Sequence, residues 1–130
     1  MKGFKGNIKK KITVKLVGDA EKAFNDLNRI VGEQRSNGVT SSKDITLLNA
    51  INRLFDVIIN NPFYGENAKK YLIPKEYRQK YDADNLFIAD LPDYWRMIYT
   101  LESDEIEIIA FVLDIIDHDD YNKKFGFKKR

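Results

Sequence analysis

A chain of 130 residues with 43% hydrophobic side chains suits one domain around a single buried core. The absence of cysteine excludes a disulfide framework and thiolate metal sites, and a single histidine excludes a multi-histidine metal centre. The net charge of +2 hides a segregation: residues 1–16 carry six lysines and no acid, residues 122–130 carry five basic residues, and the remainder is net −9.

Residues 8–17, IKKKITVKLV, alternate from Ile12 onward, with Ile12, Val14 and Leu16 on one side and Thr13 and Lys15 on the other. That period predicts a half-buried strand. Gly18-Asp19 then breaks it, and Asp19 is expected to cap the following helix. Across residues 20–33, Ala20, Ala23, Phe24, Leu27, Ile30 and Val31 form one helical stripe. Residues 35–42 read as a polar loop, and Ser41 with Asp44 reads as a capping box for a second helix. Leu47, Leu48, Ile51, Leu54, Phe55 and Ile58 give that helix its apolar stripe, and Asn60-Asn61-Pro62 ends it.

Residues 62–84 read as irregular, and they hold Lys69, Lys70, Lys75, Arg78 and Lys80. Residues 85–90 predict a short strand, and 90–93 a turn. Residues 94–101 and 106–116 predict a hairpin across the acidic turn Glu102-Ser103-Asp104-Glu105. The unbroken apolar run 108–113 predicts a central strand covered on both faces. The expectation is one α+β domain spanning residues 1–130, a helical hairpin packed on a small, mostly antiparallel sheet in the order β-α-α-β-β-β. The first strand has to join this sheet, and a place beside the last strand is open to it. No run approaches the ~18 apolar residues of a membrane span, and no signal peptide is evident. A soluble, cytoplasmic protein without a membrane partner is expected.

Several of these segments carry a resemblance. Asn61-Pro62 ends the second helix, Trp95-Arg96-Met97-Ile98-Tyr99 forms a strand, and Asp117-His118-Asp119-Asp120-Tyr121 follows the last strand. Taken in this order, from Ile12 to Phe127, they resemble the RelE/ParE superfamily of toxins from type II toxin–antitoxin systems, with a HigB-like ending. The resemblance implies a metal-independent endoribonuclease that cleaves messenger RNA, on the ribosome in the best-known members, with the RNA 2′-hydroxyl as nucleophile and no cofactor. It implies a cognate antitoxin that covers the active face. It assigns Arg96 to the scissile phosphate, His118 to proton transfer and Tyr121 to stacking on a base. Where catalytic members carry lysines on the preceding strand, this chain has Phe87, Ile88 and Ala89. The alternative implied is therefore a non-catalytic ParE-like inhibitor, for example of DNA gyrase, or a nucleic-acid-binding or protein-binding relative on the same fold.

The residues themselves bear on these roles. An imidazole titrates near neutral pH, which suits proton transfer by His118; an exposed histidine in an acidic turn is the plainer alternative. Neighbours on a strand face opposite ways, so if Trp95 packs inward, Arg96 is expected on the open face of the sheet. There a guanidinium can grip a phosphate. A structural ion pair with Asp90 is the competing role. Tyr121 and Tyr94 can stack on bases or finish the core edge. Phe125 and Phe127 can anchor the basic tail or touch RNA. Lys69, Lys70, Lys75, Arg78, Lys123 and Lys124 are the candidate RNA contacts, although lysine-rich solvated ends need no such role. Asp114, Asp117, Asp119 and Asp120 lack the glycine and closing glutamate of a calcium loop, so no metal site is assigned.

Overall fold

The computed structural model describes residues 10–126. Its elements in chain order are β1 (Lys11–Leu16), α1 (Gly18–Ser36), α2 (Lys43–Asn60), β2 (Glu66–Asn67), α3 (Lys75–Tyr81), β3 (Phe87–Asp90), β4 (Arg96–Ser103), β5 (Glu107–Ile116) and α4 (His118–Phe125). The strands form one sheet in the order β1-β5-β4-β3-β2. Among the described residues only the β1–β5 pairing is parallel, and the other three are antiparallel. The fold is α+β, and β1 takes the place beside the last strand. No helix among the described residues is long and apolar enough to cross a membrane.

α1 and α2 pack on one face. Ala20, Leu27 and Val31 of α1 and Ile45, Leu48, Ile51, Leu54 and Ile58 of α2 meet Phe87, Met97, Tyr99, Ala110, Val112 and Ile115 of the strands. The stripes set by residue spacing are the buried ones, because each helix turns its apolar side to the sheet. Two expected helix starts are corrected. α1 begins at Gly18 with Val17 in the capping position and no side-chain cap, so Asp19 lies inside the first turn. Val17 C=O accepts from the N–H of Ala20 and Glu21, which serves that helix start without a side chain. α2 is capped by Ser42 rather than Ser41, its hydroxyl accepting from Ile45 N–H at 3.1 Å. Gln34 fixes that choice: it accepts from the Ser42 hydroxyl at 2.6 Å and donates to Asp44 at 2.8 Å. α2 ends at Asn61-Pro62 as expected.

The opposite face is also covered, as the apolar run 108–113 implied for β5, although the elements that cover it were not expected as helices. α3, α4 and the 70–72 turn close over Leu86, Ile98, Leu113 and Ile116 with Ile73, Tyr77 and Ala83. Residues 62–84 are therefore partly ordered, and the segment after β5 is a helix rather than a turn. A bulge in β5 makes the second layer fit. Ile98 pairs with Asp114 and Tyr99 with Val112, so Leu113 is the extra residue. Leu113 and Asp114 consequently both face α3 and α4, and Ile115 returns to the hairpin side. At the other end of the hairpin, Asp104 accepts from the N–H of Ile106 and Glu107, and these two bonds hold its carboxyl below the usual carboxylate range.

Candidate functional site

The entry to β4 gathers the residues singled out in the sequence. Trp95 packs against the hairpin-side core, and Arg96 turns to the other face, as strand alternation requires. That face is not open. Tyr121 of α4 lies under the guanidinium at 5.1 Å, Asp90 pairs with Arg96 Nε at 3.2 Å, and the Arg96 side chain is only 17% exposed. Arg96 Nη1 donates to Trp95 C=O at 3.2 Å. The Asp90 pair expected as the competing role is present, whereas Tyr121 was expected to meet a base and instead lies against the guanidinium; Asp90 takes Nε and Trp95 C=O takes Nη1, while Nη2 carries no hydrogen bond among the described residues.

Arg96 pairs across the ladder with Ile116, two residues before His118. His118 is exposed at the first position of α4, whose cap is Asp117, its carboxylate accepting from Asp120 N–H at 2.9 Å. Helical spacing puts His118 and Tyr121 one turn apart on the same side of α4. Asn122 Nδ2 stands 3.2 Å from His118 Nε2. Asn122 drew no notice in the sequence; its i+4 spacing from His118 becomes a signal only once the helix is known.

Tyr94 stands over this histidine, with ring centroids 5.7 Å apart. Its ring is well exposed, and its backbone is left-handed, φ +62°, directly after Asp93 at φ +59°. Two consecutive non-glycine residues in that region hold roughly 1 kcal/mol of strain each, and such strain gathers at functional sites. Tyr94→Asn is expected to raise stability by about 0.5–1 kcal/mol, since asparagine tolerates this conformation and little buried surface is lost. A thermal melt decides it: a lower midpoint would mean that the contact with His118 outweighs the strain.

Beside Tyr121 runs a cleft of 250 Å³ lined by Lys69, Leu72, Ile88 and Phe125, with Glu66 and Asn67 at the β2 edge. Of the candidate RNA contacts, Lys69 lines this cleft, and Lys70, Lys75 and Lys123 are exposed. Two others have structural work. Arg78 donates to the carbonyls of Lys70 and Ile73, fixing the 70–73 turn. Lys124 binds Glu76 at 2.7 Å and lies 3.6 Å from Asp114. Phe125 packs against Tyr77 and Tyr121, which anchors the end of α4. Phe127, Lys128, Lys129, Arg130 and residues 1–9 lie outside the described residues. The four aspartates do not converge: Asp114 is buried against Tyr77, Asp117 caps α4, and Asp119 and Asp120 are exposed. Among the described residues no group of three His, Asp or Glu side chains is arranged to hold a metal. Compared with protein-family models, curated proteins and solved structures, the chain matches none of them.

Proposed function

We propose that this protein is a cytoplasmic RelE/ParE-type toxin that cleaves messenger RNA without a metal, with Arg96, His118 and Tyr121 at the scissile bond. The observation that carries the reading is the pairing of Arg96 with Tyr121 and of Tyr94 with His118 across two elements at one end of the sheet. The order β1-β5-β4-β3 under a helical hairpin suits that family's arrangement. In the proposed reaction the RNA 2′ oxygen attacks phosphorus and the bond to the 5′ oxygen breaks. The 2′ proton passes to water and a 2′,3′-cyclic phosphate remains. Arg96 Nη2 neutralises charge on the phosphorane, and His118 gives a proton to the departing 5′ oxygen. Tyr121 and Tyr94 supply faces for bases, each stack being worth about 1–3 kcal/mol. Lys69 extends the basic surface into the cleft. A separately encoded antitoxin would cover this face, and the RNA would be presented on the ribosome.

The test is transcript integrity after induction of the wild-type chain and of the Arg96→Ala/His118→Ala form, with ends mapped so that ribosome-dependent cuts are seen. Loss of the proton donor alone should lower cleavage about 10²–10⁴-fold. Cuts that persist unchanged in the double mutant would remove the site assignment. A second reading is a ParE-like inhibitor that binds a protein target. It is favoured by β3, where Phe87 and Ala89 are buried and no lysine faces Arg96, and by the hold of Asp90 on the guanidinium. Growth arrest with intact RNA would select it.

A further inference from the structure

Among the described residues, β1 forms one edge of the sheet and has a single partner, β5. In a parallel ladder the N–H and C=O of one residue point the same way, and successive residues alternate. Lys11 N–H donates to Ile106 C=O and Val17 N–H to Val112 C=O, so residues 11, 13, 15 and 17 turn to β5. Ile12, Val14 and Leu16 therefore turn their backbone groups outward, where no strand among the described residues pairs with them. An unpaired edge of this length is a template for another extended chain.

The flanking side chains define what such a chain must carry. On one face the exposed Lys11 and Lys15 flank Thr13, which donates to Glu107 at 2.8 Å. On the other face Ile12 opens into a depression of 590 Å³ shared with Ile59, Pro62, Phe63 and Ile108, with Lys10 at its rim. Ile59 and Phe63 are 42% and 64% exposed. One face of the edge thus asks for carboxylates and the other for branched or aromatic side chains. A second copy of this chain fits poorly, because pairing β1 with β1 sets lysine against lysine.

We propose that the β1 edge accepts an extended segment of a partner protein as a sixth strand, acidic on the Lys11/Lys15 side and apolar on the Ile12/Phe63 side. Backbone pairing to Ile12, Val14 and Leu16 supplies affinity and the alternating side chains supply selectivity. This surface uses none of Arg96, His118, Tyr94 or Tyr121, so it stands or falls independently of the RNA reading.

The test uses a labelled seven-residue peptide alternating glutamate with valine and isoleucine, and a control with the glutamates grouped at one end. Anisotropy should show the alternating peptide binding more tightly than the control. Amide exchange at Ile12, Val14 and Leu16 should slow on binding, while Thr13 and Lys15, already paired to β5, should change little. Lys11→Glu with Lys15→Glu, both exposed, should leave the melting temperature near wild type and weaken the peptide about tenfold. Phe63→Asp should weaken it several-fold. Equal binding of both peptides, or binding without protection of those three amides, would overturn the proposal. So would protection of the same amides by self-association or by an oligouridine that the peptide cannot displace.

Discussion

Tyr99→Phe is expected to destabilise the protein by about 1–3 kcal/mol, and Tyr99→Ala by about 3–5 kcal/mol. Tyr99 is fully buried in β4, and its hydroxyl serves two masters. It donates to Pro62 C=O at 2.8 Å and accepts from Gly65 N–H at 2.9 Å. Its ring lies nearly parallel to that of Phe87, centroids 5.3 Å apart. Phenylalanine keeps the ring but leaves a buried carbonyl and an amide without a partner, and the price of stranding such groups exceeds the net gain of an ordinary hydrogen bond. Alanine adds the cavity.

The same hydroxyl explains a glycine. A Cβ at Gly65 would come within 3.1 Å of the Tyr99 oxygen, of Ile88 C=O and of the Phe87 side chain. The loop after α2 therefore lies close on the sheet at this one point before it runs into β2 and the Lys69 cleft. Urea denaturation of Tyr99→Phe should show a lower midpoint at an unchanged slope. Amide exchange should quicken at Gly65 ahead of the hairpin core. An unfolding free energy within about 0.5 kcal/mol of wild type, the spread of ordinary surface changes, would show that neither bond contributes.

Much of the hairpin side was legible in the sequence because its burial is written in aliphatic residues at regular spacing. Leu47, Leu48, Ile51, Leu54 and Ile58 repeat often enough to define a face, and Asn61-Pro62 marks its end. The apolar run 108–113 implied a second layer, but the elements that build it were not legible. α3 buries Tyr77 and half-buries Tyr81, and α4 half-buries Tyr121 and Phe125, one pair of aromatics per helix at i,i+4 among charged neighbours. Two positions in seven or eight residues do not establish a period, so a helix that covers Arg96 looked like a turn that left it open. The capping residue of α2 was missed by one position because Gln34, eight residues earlier, selects Ser42. Asp114 does carry a signal in its place: a carboxylate inside an apolar stretch needs a buried partner, and Tyr77 is that partner. For the candidate site, Arg96 facing away from Trp95 followed from strand alternation alone. The Tyr94–His118 contact did not, since it depends on two left-handed residues that no local pattern announces.

Tyr77→Phe is expected to lower stability by about 2 kcal/mol at pH 7, and by less at pH 4. Asp114 is only 4% exposed, and Tyr77 Oη donates to it at 2.6 Å. Burial pushes the Asp114 carboxyl above its usual value, with the Tyr77 bond and the Lys124 charge acting against that rise. Burial, followed by the bond to Asp114, also pushes the Tyr77 hydroxyl far above its usual value, so it remains a donor at every accessible pH. A carboxyl whose folded pKa is raised weighs against folding once it is ionised. That penalty is fully present above the folded pKa and fades as pH falls toward the unfolded value of about 3.9. Two consequences separate the terms. The hydroxyl bond is strongest to the charged form, so removing it hurts most at neutral pH. Asp114→Asn removes the ionisation, so the stability of wild type relative to this variant should rise as pH falls from 7 to 4. Lys124 links the cluster to α4 through Glu76 and Asp114. Loosening it should therefore speed amide exchange along α4 before the sheet, and Tyr121 would lose its fixed place under Arg96. Equal losses for Tyr77→Phe at pH 7 and pH 4, measured by urea midpoints, would mean that Asp114 does not titrate between them and that this account of the second layer is wrong.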